Sequence, residues 1–124
     1  MGLDIASKFG AALTILHICE IPSSAAAGMT YSSIDLMTPL MDAARSELDA
    51  VVEGTAARLP RVTGVLRLGV PWREILAVRE EAGADLIVMG THGRTGVAHA
   101  LIGSVAERVV RASPVPVLTV HASQ

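Results

Sequence analysis

The residues best equipped for chemistry lie in one stretch, Met89-Gly90-Thr91-His92-Gly93-Arg94-Thr95-Gly96, followed after six intervening residues by Gly103-Ser104. An apolar run from Asp85 to Met89 leads into it, and a helical pattern from Ser104 to Ala112 leaves it. The order is strand, glycine loop, helix start. That order puts unpaired backbone N–H groups and the positive end of a helix dipole at the carboxyl end of a strand, where anions bind. Gly90, Gly93 and Gly103 would let the backbone approach a phosphate with no Cβ between them, and Ser104 adds a hydroxyl to its amide. No Gly-Lys-Ser/Thr occurs, so this is not a Walker loop, and the glycine spacing is not that of a dinucleotide fingerprint. Spacing alone supports a phosphate cradle and a tight strand-to-helix turn equally.

His92 sits in the loop where it would donate to a phosphate, although a part-exposed loop histidine is the commoner case. Arg94 would neutralise a terminal phosphate or stand solvated. His17 lies inside an apolar strand, and His99 and His121 have no acid or sulfur at ligand spacing, so no structural metal is expected. Cys19 has only Glu20 beside it, and an acid gives a thiol no activating partner. Asp85 and Glu107 have sufficient structural roles at a strand start and a first helical turn, and Trp72 is expected to pack over its own helix. No acid and base are paired and no nucleophile has a positioned partner, so no efficient enzyme is expected.

The elements that must position this stretch alternate strand and helix, the pattern of an α/β protein with a parallel sheet. Residues 2 to 9 read as a helix stopping at Gly10, and Ala12 to Ile18 as a strand covered on both faces. Glu20 to Thr38, rich in Ser, Ala, Gly and Thr, reads as a long loop. Thr38 is then the expected N-cap and Pro39 the first residue of a helix to Leu59, with Leu40, Ala44, Leu48, Val51 and Thr55 along one face. A weaker strand, Val62 to Leu68, is interrupted by Gly64. A second helix follows Pro71, with Ile75, Val78 and Ala82 inward, and Gly83 closes it. Val115 to Val120 is the last strand, and Pro116 places it at a sheet edge.

Composition narrows the function classes. A chain of 124 residues with 51% hydrophobic residues is one domain, 1–124, able to build its own core. Phe9, Tyr31 and Trp72 are its only aromatic residues, too few to stack successive bases. Ten basic residues against twelve acidic ones leave a net charge of -2 and no basic stripe, so no nucleic-acid partner is expected. No apolar run approaches a membrane span. The acid in the first eight residues and the single cysteine favour a cytoplasmic protein.

The motif Gly90-x2-Gly93-x9-Gly103-Ser104, with Ala84 to Arg94, Gly103 to Arg108 and Pro114 to Leu118 around it, resembles the signature segments of the universal stress protein family, in its ATP-binding branch. The resemblance runs from residue 2 to the end. It implies a doubly wound, Rossmann-like parallel sheet of the adenine nucleotide α-hydrolase type and a stress-response regulator that binds ATP, with or without Mg²⁺. By resemblance Gly90, Gly93, Gly103, Ser104 and Val105 line the phosphates and ribose, with Met89 nearby, and the backbone of Ile18 meets adenine. Val115, Val117, Leu118 and Val120, in the last strand, form the edge on which family members pair as homodimers. The alternative is a nucleotide-free dimeric interaction module in the stress response. Two departures stand out. Family members begin with a central strand and an Asp-bearing loop that touches nucleotide, whereas this chain starts partway through the following helix, truncated by one strand. Ala106 stands where some nucleotide-binding members carry a hydroxyl.

Overall fold

In the computed structural model, residues 2–20, 31–91 and 103–121 are described. They form α1 (Gly2–Phe9), β1 (Leu13–Glu20), α2 (Tyr31–Ala56), β2 (Val62–Gly69), α3 (Pro71–Ala82), β3 (Ile87–Gly90), α4 (Ser104–Ala112) and β4 (Val117–Val120). β1 pairs with β2 from Leu13↔Val62 to Glu20↔Gly69, and β3 pairs with β4 from Ile87↔Val117 to Gly90↔Val120, both parallel. The fold is α/β with parallel strands, as the alternation of signals requires. Among the described residues the two pairs are separate sheets.

Register and neighbours show which helices cover which face. Successive strand residues alternate faces, and paired residues of parallel strands share one. Gly64 looks at α2, since a Cβ there would lie 2.7 Å from Val52 Cγ2 and 3.2 Å from Leu48 Cγ. Arg67, three residues on, faces the other way and pairs with Glu81 of α3. Ile15 shares the face of Gly64, and so does Leu13, whose Cδ1 is 3.7 Å from where a Cβ on Gly2 of α1 would sit. α1 and α2 therefore cover one face and α3 the other. α4 packs on α3, with the Arg108 guanidinium 4.4 Å from the centre of the Trp72 ring and Arg73 5.2 Å from it. Trp72 thus joins two helices by cation–π contact as well as covering its own.

The buried apolar side chains are Ala6, Ala44, Leu48, Leu59, Val78, Ile87, Ala106 and Val109 among the described residues. Gly83 ends α3 in the left-handed region at φ 65°, with its N–H returned to the last turn, as expected of a glycine past a helix end.

Several boundaries differ from expectation. Thr38 and Pro39 do not open a helix: α2 already runs from Tyr31, and Pro39 lies inside it. Pro39 removes one ladder bond, while a helix already propagating gains one for each further residue, and Ala44 and Leu48 hold it down by burial. Residues 21–30, the rest of the expected loop, lie outside the described residues. On α2, Leu40 and Val51 are exposed although they share the apolar spacing; the side chains that meet β2 at Gly64 are Leu48 and Val52. Ala82, the last residue of α3, is exposed. β3 and β4 begin at Ile87 and Val117, two residues later than read, where ladder pairing starts.

Gly64 does not interrupt β2, since it pairs with Ile15 in an unbroken ladder. Its missing side chain instead makes room for α2. Gly64→Ala is expected to cost about 1–3 kcal/mol by overpacking against Val52 and Leu48, read from the urea midpoint. An unchanged midpoint would mean that Val52 turns aside freely.

Candidate functional site

The sequence places its chemistry where β3 ends, and the bonds there are specific. Gly103 is the N-cap of α4, in extended conformation (φ -66°, ψ 159°), with no side-chain cap bond. Its N–H donates to the Thr91 carbonyl at 2.5 Å, and its carbonyl accepts the Glu107 N–H at 2.9 Å. The Thr91 N–H donates to the Val120 carbonyl at 3.1 Å. One residue thus ties the end of β3, the end of β4 and the start of α4.

The next amides, those of Ser104, Val105 and Ala106, have no acceptor within the helix. Ser104 is exposed, Val105 half-buried and Ala106 only 2% exposed. The helix dipole adds partial positive charge at that end. The one acid in the first turn, Glu107, is bound by Arg111 at 2.5 Å, which offsets its charge beside the amides. The arrangement can hold an anion by backbone donors. Among the described residues no group of three His, Cys, Asp or Glu side chains could hold a metal ion.

Met89, Gly90, Gly103, Ser104 and Val105 are therefore brought to one corner. Gly93, His92 and Arg94 lie outside the described residues. Ile18 stands on the other sheet, opposite Arg67. The Leu13 N–H donates to the Arg61 carbonyl on the β2 side. Alternation then turns the N–H and C=O of Ile18 away from β2, toward the edge of β1 that carries no strand among the described residues. Val115, Val117 and Val120 are half-buried and Leu118 is 38% exposed; among the described residues β4 bonds only to β3, and the Pro116 carbonyl accepts the Ile87 N–H. Pro116 itself lies just ahead of β4, outside its ladder.

Two contributors escape a reading of spacing. Thr91 is the junction just described, and its Oγ1 lies 3.1 Å from His121 Nδ1. The signal was a hydroxyl residue directly after a strand, but its partners lie twelve and thirty residues away, and no local pattern shows them. Elsewhere a hollow of about 150 Å³ lies between β1 and α2, lined by Ile15, Leu16, His17, Glu47, Leu48 and Val51. No motif marks it.

Comparison with known proteins adds the following. The universal stress protein family profile matches residues 1–121. The chain is 33% identical over 86 residues to the universal stress protein MJ0577 of Methanocaldococcus jannaschii, covering 69% of this chain and 53% of that one. In that alignment it spans about half the relative's length. A universal stress protein of Staphylococcus haemolyticus, SH1215, described as putative, is 31% identical over 129 residues, 98% of this chain and 74% of its own. The solved structure of MJ0577 superposes with a TM-score of 0.76 at 26% identity, covering 99% of this chain and 87% of that chain. A universal stress protein solved in complex with cAMP shares the fold at a TM-score of 0.60 and 23% identity, covering 98% and 86%.

Proposed function

Because this chain belongs to the universal stress protein family, we propose that it binds an adenine nucleotide, ATP, at the β3–α4 corner as a regulator in the stress response. The observation that carries the reading is the uncapped start of α4, held by the Gly103 N–H on Thr91 so that the amides of Ser104 and Val105 open outward. Those amides and the Ser104 hydroxyl take the phosphates, with Gly90, Gly93, His92 and Arg94 completing the cradle by motif. Met89 and Gly90 border the ribose. The Ile18 backbone, turned from β2, takes the adenine edge, which suits a chain too poor in aromatic residues to stack a base. A Mg²⁺ ion accompanies the phosphates. The protein works in the cytoplasm as a homodimer joined along the free edge of β4, through Val115, Val117, Leu118 and Val120.

Calorimetry with ATP and Mg²⁺ tests the proposal. Saturable heat is expected, and Gly103→Val is expected to weaken binding at least tenfold while leaving the thermal melt in place. Gly103 has a φ that valine adopts without strain, so the variant tests close approach of the phosphate rather than folding. No heat with the parent protein sinks the reading. A dimer that persists without nucleotide affinity would favour the interaction module, for which the open β4 edge is the supporting observation.

A further inference from the structure

The seam between α3 and α4 holds two guanidinium groups against one indole ring. We infer that Arg108, seated on Trp72 with Arg73 beside it, makes the β3–α4 corner select a polyphosphate over a single phosphate. The inference rests on the nucleotide reading of that corner and names the ligand class within it, a nucleoside triphosphate rather than a monophosphate.

Helix geometry places these groups. Trp72 is the second residue of α3 and Arg108 the fifth of α4, so their contact at 4.4 Å brings the starts of the two helices together. Arg73 lies 5.2 Å from the centre of the same ring. A long side chain on a helix leans back over the preceding turn, and residues four apart are neighbours, with Cβ atoms about 5–6 Å from each other. Arg108 therefore stands over Ser104 and Val105, the residues whose amides open the corner.

Neither guanidinium is neutralised. Arg73 and Arg108 are exposed and make no ion pair or hydrogen bond among the described residues. The acids next to them in sequence are turned elsewhere. Glu74 folds over Gly69, with its Oε2 3.1 Å from where a Cβ would sit, and Glu107 binds Arg111. Arg67 and Arg61, by contrast, are engaged by Glu81 and by the Gly10 carbonyl. Two like charges against one ring repel each other, and an anion beside both removes that repulsion. The ring fixes where Arg108 sits without spending a carboxylate on it, so the planar fork keeps its N–H donors for a phosphate. The amides of α4 and the helix dipole suffice for one phosphate. Each further phosphate adds charge that a partial dipole does not balance, and Arg108 is the cation that stands over those amides.

Calorimetry with ATP and with AMP, each with Mg²⁺, on the parent chain, Arg108→Gln and Arg108→Lys tests this. The parent is expected to bind ATP about tenfold or more tightly than AMP. Arg108→Gln is expected to lose about tenfold in ATP affinity while its AMP affinity changes by less than about threefold. Arg108→Lys is expected to recover only part of the loss, because it restores the charge without the fork. Equal thermal melts are expected for all three proteins, since Arg108 is exposed. Trp72 is the only tryptophan, so its emission gives a second readout: ATP is expected to shift it, AMP to leave it, and Arg108→Gln to abolish the ATP response. A parent that binds neither nucleotide sinks the nucleotide reading and this inference with it. A parent that binds ATP, with Arg108→Gln weakening ATP and AMP equally or weakening neither, overturns the role of Arg108 and leaves the nucleotide reading standing. So does an emission response to ATP that persists unchanged in Arg108→Gln.

Discussion

Val109→Asp is expected to abolish cooperative folding. Val109 has no solvent exposure at all, the most enclosed large side chain among the described residues, and it lies on the face of α4 that also buries Ala106. No charged side chain is itself buried among the described residues, and a buried, unpaired carboxylate costs several kcal/mol, about 4 or more. That is a large part of the ~5–15 kcal/mol that a domain of this size holds. Val109→Ala removes two methyl groups and is expected to cost about 2 kcal/mol with folding retained. The sign with pH is definite. Burial raises the folded-state pKa of the new carboxyl above its unfolded value, so the variant gains stability as the pH falls below neutral and protonation removes the charge. Circular dichroism melts of the three proteins at pH 7 and pH 5 check this, and a sharp parental melt for the aspartate variant at pH 7 would contradict it. Because α4 also carries the Gly103 amide corner, the same variant is expected to lose ATP binding.

Leu48→Ala is the second large effect, a loss of about 2–5 kcal/mol by urea unfolding. Leu48 is 4% exposed, sits under Gly64, and forms one wall of the hollow beside β1. Truncation would merge new space with space already present, and the β1–β2 sheet has little else from which to refill it. Leu48 also crowds the position a Cβ on Gly64 would take, with its Cγ 3.2 Å away. The double variant with Gly64→Ala is therefore expected to fall short of the sum of the two by about 0.5 kcal/mol or more. Strict additivity would show that the 2.7 Å approach of Val52, not Leu48, limits the site.

Much of the fold was legible along the chain because its signals are local. The apolar run Ala12 to Ile18, a strand as read although half-buried rather than covered on both faces, Gly83 after α3 and the helical pattern from Ser104 to Ala112 each reflect one element's own period or end. The errors share a cause. Thr38-Pro39 looked like a helix start because capping residues score the same wherever they occur, and only the continuing helix from Tyr31 decides that this one is interior. Gly64 looked like a break, but its meaning is the distance to Val52, a contact with a residue twelve positions earlier. Leu40 and Val51 kept helical spacing yet stay exposed, because spacing says which residues share a face and not which of them meets the opposing strand, here Leu48 and Val52 at Gly64.

The candidate corner divides in the same way. The glycines and Ser104 announce a close backbone approach, since glycine at a strand-to-helix junction is a local steric statement. What locks the corner is Thr91, through a carbonyl to Gly103, an N–H to Val120 and a hydroxyl near His121. Those partners come together only when β3, β4 and α4 have packed.

By itself the sequence determined an α/β chain of parallel strands, the elements on either side of the glycine stretch and the family, because periodicity, steric allowance and motif are written in neighbouring residues. Only the tertiary structure decided the pairing of strands into two ladders and the faces covered by α1 and α2 against α3. The physical reason is that parallel pairing and crossover handedness join residues far apart in the chain, and their partners are settled by which surfaces can be buried together.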